Sequence, residues 1–337
     1  MQRSKTVRRA APASTIKRSA MILGQLLVTG AGIFYVFHSA ETRGQIATAL
    51  RHASWQWLVL GWFAYGSVEA LATTRWRMLL RIQNIRLGWW RAGAIVIVGL
   101  FFNMFLPGLI GGDVMRLYLL FKEAPRQRGR GTLAVTMDRL LGLLSITFLA
   151  LTVVVFRFRW LNSSPATARI TYLALVILGA AFTFVTLLFA AAAFGFAKKL
   201  PKRLPLRHII VESADALDLY RARIGTTTLA FFLTVASHLA YYFSFYCAGR
   251  SLRDANTPTA SVSEMLSIMP LVNAITGVPI SFGGVGVRET LFQHFLGNLA
   301  HVPAAIAALS ASLGFAVQAS WGVLGGVAFL ILRSMRR

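Results

Sequence analysis

The sequence predicts an all-α polytopic membrane protein with about six spanning helices plus two re-entrant helical hairpins, arranged as an inverted-topology internal repeat. Three observations lead to this fold class. The composition is that of a membrane protein, the basic residues gather in alternate connecting segments, and one glycine-rich motif occurs twice inside apolar sequence. Together they predict one helix break at membrane depth in each half of the chain.

Composition sets the broad class of protein. Of 337 residues, 56% are hydrophobic and only 14% are charged, and the mean hydropathy is +0.62. This is too apolar for a soluble domain and is typical of a chain with several membrane spans. The net charge of +24 does not indicate nucleic-acid binding, because the basic residues lie between apolar segments and suit anionic lipid headgroups. The single cysteine, Cys247, excludes an internal disulfide and a CxxC metal or redox site.

The first repeat is predicted over residues 19–166, after a basic cytoplasmic tail of residues 1–18. Three of its segments are long enough to cross a hydrocarbon core of about 30 Å. They cover residues 19–38, 54–74 and 137–156. Residues 92–121 are apolar but interrupted, and both flanks are basic, so this segment is predicted to be a hairpin that enters and leaves the membrane on the cytoplasmic side.

Two connecting segments of the first repeat have contrasting compositions. Residues 40–53 hold only Arg43 and Arg51 as basic residues, and we expect them to form an external linker. Residues 75–91 contain five arginines and three tryptophans. That mixture predicts an interfacial segment on the inner leaflet, where guanidinium groups and indole rings favour the headgroup region.

The second repeat, residues 167–337, has the same plan in the opposite orientation. Its hairpin is predicted over residues 260–299, with flanks poor in basic residues and therefore external. Its spans are predicted over residues 170–196, 225–248 and 303–332. A short amphipathic surface helix is expected around residues 210–224 of the cytoplasmic loop.

The distribution of basic residues supports this topology. Five predicted cytoplasmic segments hold 25 lysines and arginines, and three predicted external linkers hold 7. Two halves of opposite orientation, each with a broken helix, are a recurring plan of transporters, because the halves exchange conformations and expose one site to each face in turn. Eight full spans remain an alternative if the hairpins cross the membrane.

The repeated motif is PxxxGGxxxR, at residues 107–116 and again 172 residues later at 279–288. Each copy follows an asparagine, Asn103 or Asn273. Proline removes a backbone donor and glycine permits unusual dihedral angles, so the motif predicts a broken helix. An arginine at membrane depth is costly where it faces lipid and indicates function by default. We therefore expect each copy to form the tip of a hairpin, and the two tips to line a site for a charged substrate.

Three stretches carry a resemblance to a known family. They are NMFLPGLIGGDVMRLYLL (Asn103–Leu120), MDRLLGL (Met137–Leu143) and PISFGGVGVRETLF (Pro279–Phe292). They resemble the flippase-like membrane family typified by the transmembrane part of lysylphosphatidylglycerol synthases, over about residues 20–332. The resemblance implies lipid movement from the inner to the outer leaflet of the cytoplasmic membrane of a prokaryote. The distribution of basic residues predicts that both termini are cytoplasmic. Synthase members also carry a soluble aminoacyl-transferase domain, and because this chain stops at Arg337 the resemblance implies transport without that enzymatic step.

The candidate substrate is a membrane phospholipid with an anionic or phosphate-bearing headgroup, and no cofactor is expected. Its candidate contacts are the residues of the two motifs and their polar neighbours. They are Asn103, Pro107, Gly111, Gly112, Asp113, Arg116, Asp138, Arg139, Asn273, Pro279, Gly283, Gly284, Arg288 and Glu289. The two arginines suit bidentate contact with a phosphate, and half-helix N-termini favour the same anion.

Each candidate contact also has a purely structural interpretation. Arg116 pairs with Asp113 or Asp138, and Arg288 with Glu289, only to hold each tip. The glycine pairs permit close helix packing, and the asparagines satisfy backbone groups freed by the break. Asp138 and Arg139 open a span, where a carboxylate complements the helix dipole. Glu69 is either a proton-coupling group or a buried acid with a structural partner.

Other classes of function have weaker support. His238 and His294 have no companions at ligand spacing, so a metal site is not expected. No catalytic motif with supporting context occurs in the sequence, which disfavours an intramembrane enzyme. A polyprenyl-phosphate or hopanoid transporter, or a non-transporting accessory protein of a lipid-synthesising enzyme, remain alternatives.

Overall fold

The computed structural model describes residues 12–105, 111–193, 218–254, 257–278 and 280–334. Within these ranges the chain is helical and has no β-strand. Its α-helices are α1 (Pro12–Phe37), α2 (Ala40–Arg51), α3 (Trp55–Ile82), α4 (Trp89–Phe105), α5 (Gly111–Glu123), α6 (Arg128–Leu161), α7 (Pro165–Ala193), α8 (Ile224–Arg250), α9 (Val262–Thr276), α10 (Val287–Ala300) and α11 (Ala304–Ser334). Short 3₁₀ helices cover Pro125–Gln127 and Phe282–Gly284.

Several helices have the length and composition of membrane spans. Among the described residues, α6, α7, α8 and α11 each contain a stretch long and apolar enough to cross a membrane. The predicted first and second spans lie on α1 and α3. Helix α3 has 28 residues, but Glu69 and three arginines lower its hydropathy. An all-helical, multi-pass membrane protein is therefore confirmed, whereas the number of spans stays a prediction.

Helices α3 and α8 form the central pair of the bundle. They pack along their lengths, and Gly61 of α3 makes the approach close, since a Cβ there would lie 3.1 Å from Cys247 Cβ. The ring centroids of Tyr65 and Tyr241 are 6.1 Å apart across the same interface. Helix α11 packs against α4, α8 and α10, and α9 packs against α6, α7 and α8. Helices from both halves of the chain therefore pack against each other.

Two connecting segments contain helical structure beyond the predicted spans. The predicted linker over residues 40–53 contains α2, which is stabilised by Ser39 as N-cap, Glu41 in the first turn and Arg51 in the last turn. The predicted interfacial segment begins with eight residues that continue α3. Trp76 in that extension is 0% exposed, because α4 and α5 contribute to a core cluster that covers it. The surface helix expected near residues 210–224 lies mostly outside the described residues; residues 218–222 are helical.

The two ends of the bundle differ as the charge pattern predicts. At one end, segments predicted to be cytoplasmic meet: the Tyr220 hydroxyl donates to Leu79 O at 3.4 Å, and Arg91 lies 3.6 Å from Glu123. At the other end, segments predicted to be external meet, where Ser54 N donates to Ser251 O at 2.8 Å. The arginine-rich and arginine-poor segments therefore lie at opposite ends of the molecule.

Each predicted hairpin consists of two short helices in contact. Helices α4 and α5 pack on each other, as do α9 and α10. These helices have 17, 13, 15 and 14 residues. At 1.5 Å per residue they are about 20 to 26 Å long, shorter than a hydrocarbon core of about 30 Å. Pro107 and Pro279, to which the breaks were assigned, lie outside the described residues.

Substitution of Gly325 by alanine tests the packing between α11 and α4. A Cβ at Gly325 would lie 2.1 Å from Ile97 O, so the helices must separate, and overpacking of this kind costs about 1–3 kcal/mol. We expect a lower melting temperature for Gly325→Ala in detergent. The control is Gly179→Ala on α7, where a Cβ meets nothing within 4 Å. Equal melting temperatures for wild type and Gly325→Ala would contradict this packing.

Candidate functional site

Helices α4 and α5, on either side of the first predicted break, cross closely. Gly112 N donates to Asn103 Oδ1 at 2.9 Å, and a Cβ at Gly112 would lie 2.2 Å from Gly99 O. Asn103 therefore satisfies one of the backbone N–H groups that a helix start leaves free. Glycine at position 112 is required for the crossing itself. Contact of either residue with a substrate stays a prediction.

Arg116 lies on α5 in the interior of the bundle. It is 6% exposed, and its guanidinium carbon lies 4.6 Å from the centre of the Trp76 ring. Arg116 Nη1 lies 3.0 Å from Asp138 Oδ2 and 3.6 Å from Asp113 Oδ1. Its Nε is buried without a hydrogen-bond partner. The ion pairs that were the structural interpretation of Arg116 are therefore formed.

Two further arginines complete a charged network around Asp113 and Asp138. Arg75 Nε lies 2.7 Å from Asp138 Oδ1. Arg139 holds Asp113 through two nitrogens, at 2.7 and 2.5 Å. Three guanidinium groups thus share two carboxylates, and the network keeps an excess positive charge. Arg75 was predicted only as an interfacial residue, and no local sequence signal connects it to a carboxylate 63 residues away.

The predicted position of Asp138 and Arg139 at a helix start is wrong. Helix α6 begins at Arg128, ten residues earlier. The apolar run marks the membrane-spanning part of the helix and not its end, so the boundary was placed too late. Asp138 therefore has no role as a dipole complement at an N-terminus. It is instead the common acceptor for Arg75 and Arg116.

The second break differs in geometry from the first. Gly283, Gly284 and Gly286 have φ values of 61°, 77° and 85°, a region that residues with a Cβ rarely adopt. These glycines precede α10, whereas Gly111 and Gly112 form the first turn of α5. The second motif therefore exposes a glycine backbone at the break. Asn273, on the helix before it, lies beside the Tyr242 hydroxyl.

The structural alternative for Arg288, an ion pair with Glu289, is not formed. Glu289 Oε2 accepts from Gly286 N at 2.7 Å, and Glu289 Oε1 accepts from the Ser312 hydroxyl at 3.2 Å. Adjacent helical residues point in different directions, so Glu289 turns back to cap α10 while Arg288 points away from it. Two opposite charges that are adjacent in the sequence therefore do not form an ion pair here.

Arg288 is buried without a carboxylate partner. It is 6% exposed, and its guanidinium carbon lies 5.6 Å and 4.9 Å from the ring centres of Phe245 and Phe315. Arg288 Nη2 donates to Gly283 O at 3.0 Å, but Nη1 has no hydrogen-bond partner. None of the ion pairs within the described ranges includes Arg288. The two motif arginines are therefore electrostatically unequal.

A polar path on α3 lies between the two arginines. Glu69, 7% exposed, is within electrostatic range of Arg116 and Arg75, and the Tyr65 hydroxyl is its hydrogen-bonding neighbour. Tyr65 is in turn within electrostatic range of Arg288. Eleven residues separate Tyr65 from Trp76, which lies under Arg116, and this corresponds to about 16 Å along the helix. The arginines thus lie at two levels of one bundle. Tyr65 was not among the predicted site residues, because its local sequence is that of an ordinary apolar helix.

Replacement of Asp138 by asparagine tests the first network. The change leaves Arg75 and Arg116 buried without their closest carboxylate, and breaking a buried pair in this way costs about 3–5 kcal/mol. We expect a clear fall in melting temperature for Asp138→Asn. Asp113→Asn is the matched control, since its closest partner, Arg139, is 54% exposed and the loss should be smaller. Equal falls in melting temperature for the two variants would contradict the claim that the buried ion pairs of Asp138 stabilise the protein more than the exposed ion pair of Asp113.

Comparison with known proteins places the chain in a family. No curated protein matches the sequence. The family described as the lysylphosphatidylglycerol synthase TM region matches residues 21–326, which include both motifs and all five charged residues of the first network. The match extends over far more than half of the 337 residues. The chain is therefore a member of the lysylphosphatidylglycerol synthase TM region family, a family of membrane proteins with a lipid-related role.

Proposed function

We propose that this protein moves a lipid with an anionic, phosphate-bearing headgroup between the leaflets of the cytoplasmic membrane. The observation that carries the proposal is Arg288, a guanidinium that is 6% exposed and has neither a carboxylate partner nor a hydrogen bond to Nη1. Placing a charge in an apolar interior costs several kcal/mol unless a counter-charge compensates it. A lipid phosphate supplies that counter-charge.

The geometry of the second break suits a headgroup. A phosphate engages a guanidinium through two parallel hydrogen bonds, and Nη1 is free for one of them. The glycines of the break carry no side chain that would shield the backbone. A Cβ at Gly284 would lie only 3.0 Å from Arg288 Nη2, so glycine there also keeps room beside the guanidinium. Gly283 and Gly284 are therefore proposed substrate contacts, together with Arg288.

The first break has a different part in this mechanism. Its arginine already has Asp138 and Asp113 as partners, so a headgroup must compete with them or bind the excess positive charge of the network. We propose that Arg116, Asp113, Asp138 and Arg139 form the second station of the path. The helix pairs α4/α5 and α9/α10 act as re-entrant hairpins entering from opposite faces. Exchange between the two halves then exposes the headgroup to each leaflet while the acyl chains stay in the bilayer.

The chemistry of the site favours some lipids over others. A polyprenyl phosphate presents the same anion as a phospholipid, so mass spectrometry of lipids that copurify with the protein separates the two. A hopanoid without an anionic group leaves Arg288 uncompensated and is less favoured. The protein is proposed to act without enzymatic chemistry and with both termini in the cytoplasm. A scaffold for a lipid-synthesising enzyme is the competing proposal, and it requires no free guanidinium.

Leaflet exchange in proteoliposomes tests the proposal. Wild-type protein should accelerate exchange of fluorescent phosphatidylglycerol over that in empty liposomes. Arg288→Ala should reduce the rate at least about tenfold, since a charge-assisted hydrogen bond contributes about 1.5–3 kcal/mol. Arg288→Lys keeps the charge but loses bidentate geometry, and it should retain an intermediate rate.

The control is Arg253→Ala. Arg253 is an exposed arginine at the arginine-poor end of the bundle and outside both motifs, so its loss should leave the rate unchanged. Melting temperatures and size-exclusion profiles establish that each variant is folded. A folded Arg288→Ala protein with the wild-type rate would refute the role of Arg288. Wild-type protein that does not exceed empty liposomes, with either anionic or zwitterionic lipids, would refute transport itself.

A further inference from the structure

A cavity of about 720 Å³ lies at the arginine-rich end of the bundle, away from both glycine motifs. It is bounded by the end of α3, the turn that follows it and the start of α8. Its lining is cationic and apolar, and none of the described lining residues is acidic. They are Met78, Arg81, Ile82, Asn84, Arg86, Leu87, Arg223 and Thr226.

The turn after α3 brings two of the arginines to the same cavity. Asn84 has φ of 60°, and this left-handed residue ends the helix. Ile85 N donates to Leu80 O at 2.9 Å and Asn84 N donates to Arg81 O at 3.0 Å, which is the bond pattern of a Schellman C-cap. The chain reverses there, so Arg86 lies beside the same cavity as Arg81.

Further contacts hold the cavity walls in place. Arg77 Nε donates to Leu87 O at 3.1 Å, and Trp89 Nε1 donates to the Thr74 hydroxyl at 3.3 Å, so the segment after the turn is fixed to α3. On the opposite side, the Tyr220 hydroxyl donates to Leu79 O at 3.4 Å. That contact brings the segment containing Arg223 against the end of α3.

Three arginines around one cavity create a local positive potential that favours an anion. None of the ion pairs within the described ranges includes Arg81, Arg86 or Arg223. All three are exposed, in contrast to Arg116 and Arg288. Three arginines that line one cavity can donate enough hydrogen bonds for the oxygens of a phosphate group. The apolar wall of Met78, Ile82 and Leu87 provides a surface for the remainder of an amphiphilic molecule.

We propose that this cavity is a binding site for a phosphate-bearing anion, distinct from the motif arginines. The phosphate belongs either to a lipid headgroup or to a soluble phosphate compound, since the recognition chemistry is the same for both. This proposal is independent of the proposed transport activity, because binding at the cavity can be measured without leaflet exchange.

Binding measurements on the full chain test the site in two arms. In a neutral detergent, pyrophosphate is titrated calorimetrically. In parallel, native mass spectrometry counts phosphatidylglycerol molecules retained by the protein. The test variant is Arg81→Ala/Arg86→Ala/Arg223→Ala. The control is Arg159→Ala/Arg169→Ala/Arg253→Ala, which removes three exposed arginines from the opposite end and changes the net charge equally.

We expect the test variant to bind at least about tenfold more weakly in one of the two arms, and the control to bind like the wild type. Loss confined to the pyrophosphate arm identifies a soluble phosphate, and loss that includes the lipid arm identifies a headgroup. Should the triple variant fail to fold, Arg86→Glu in the exposed turn gives the same comparison. Wild-type binding by the variants in both arms, or an equal loss in the control, would overturn the proposal.

Discussion

The structure depends on how an apolar helical bundle accommodates guanidinium groups in its interior. A buried charge without a partner is costly, and the cost falls only when carboxylates, hydrogen bonds or a ligand compensate it. Around Arg116 the protein supplies the compensation, through Asp138 and Asp113. Around Arg288 it supplies two aromatic rings and one carbonyl, and Nη1 is left without a partner. Because of this difference, Arg288 and not Arg116 is the arginine for which we propose a ligand as the counter-charge.

The same ten-residue motif thus produces two different local structures. In the first copy the glycine pair starts α5, and the arginine meets carboxylates from α5 and α6. In the second copy the glycines lie in the break with positive φ, and the neighbouring acid is used as a helix cap. Unequal sites suit the proposed carrier role, because identical sites would hold a substrate equally in both. Glu69 and Tyr65, on a helix central to both, lie where the two halves are electrostatically linked.

Local patterns in the sequence predicted much of this arrangement. Apolar length and charge distribution predicted the helical bundle and the segregation of arginines to one end. The glycine pairs predicted helix breaks, and both motif arginines lie in the first turns of the following helices. Helix ends were less predictable, because hydropathy marks the membrane core while α3 and α6 continue beyond it into polar sequence.

Contacts between distant helices account for what the sequence did not reveal. Arg75 reaches Asp138 across 63 residues, and Tyr65 meets Tyr241 between the two repeats. A single sequence contains no signal for such pairs. At Glu289, proximity in sequence suggested an ion pair as the structural alternative, but adjacent side chains on a helix point in different directions. Which charges are compensated depends on how deeply each charged side chain is buried and in which direction it points, and only the fold defines both.

The most direct test of this account is a cryo-electron microscopy map of the protein in nanodiscs that contain phosphatidylglycerol. We expect density for a phosphate within hydrogen-bonding distance of Arg288 Nη1, with acyl chains extending from it into the bilayer. The account would be contradicted if the map showed Arg288 paired with a protein carboxylate, or surrounded only by acyl chains with no anion beside it.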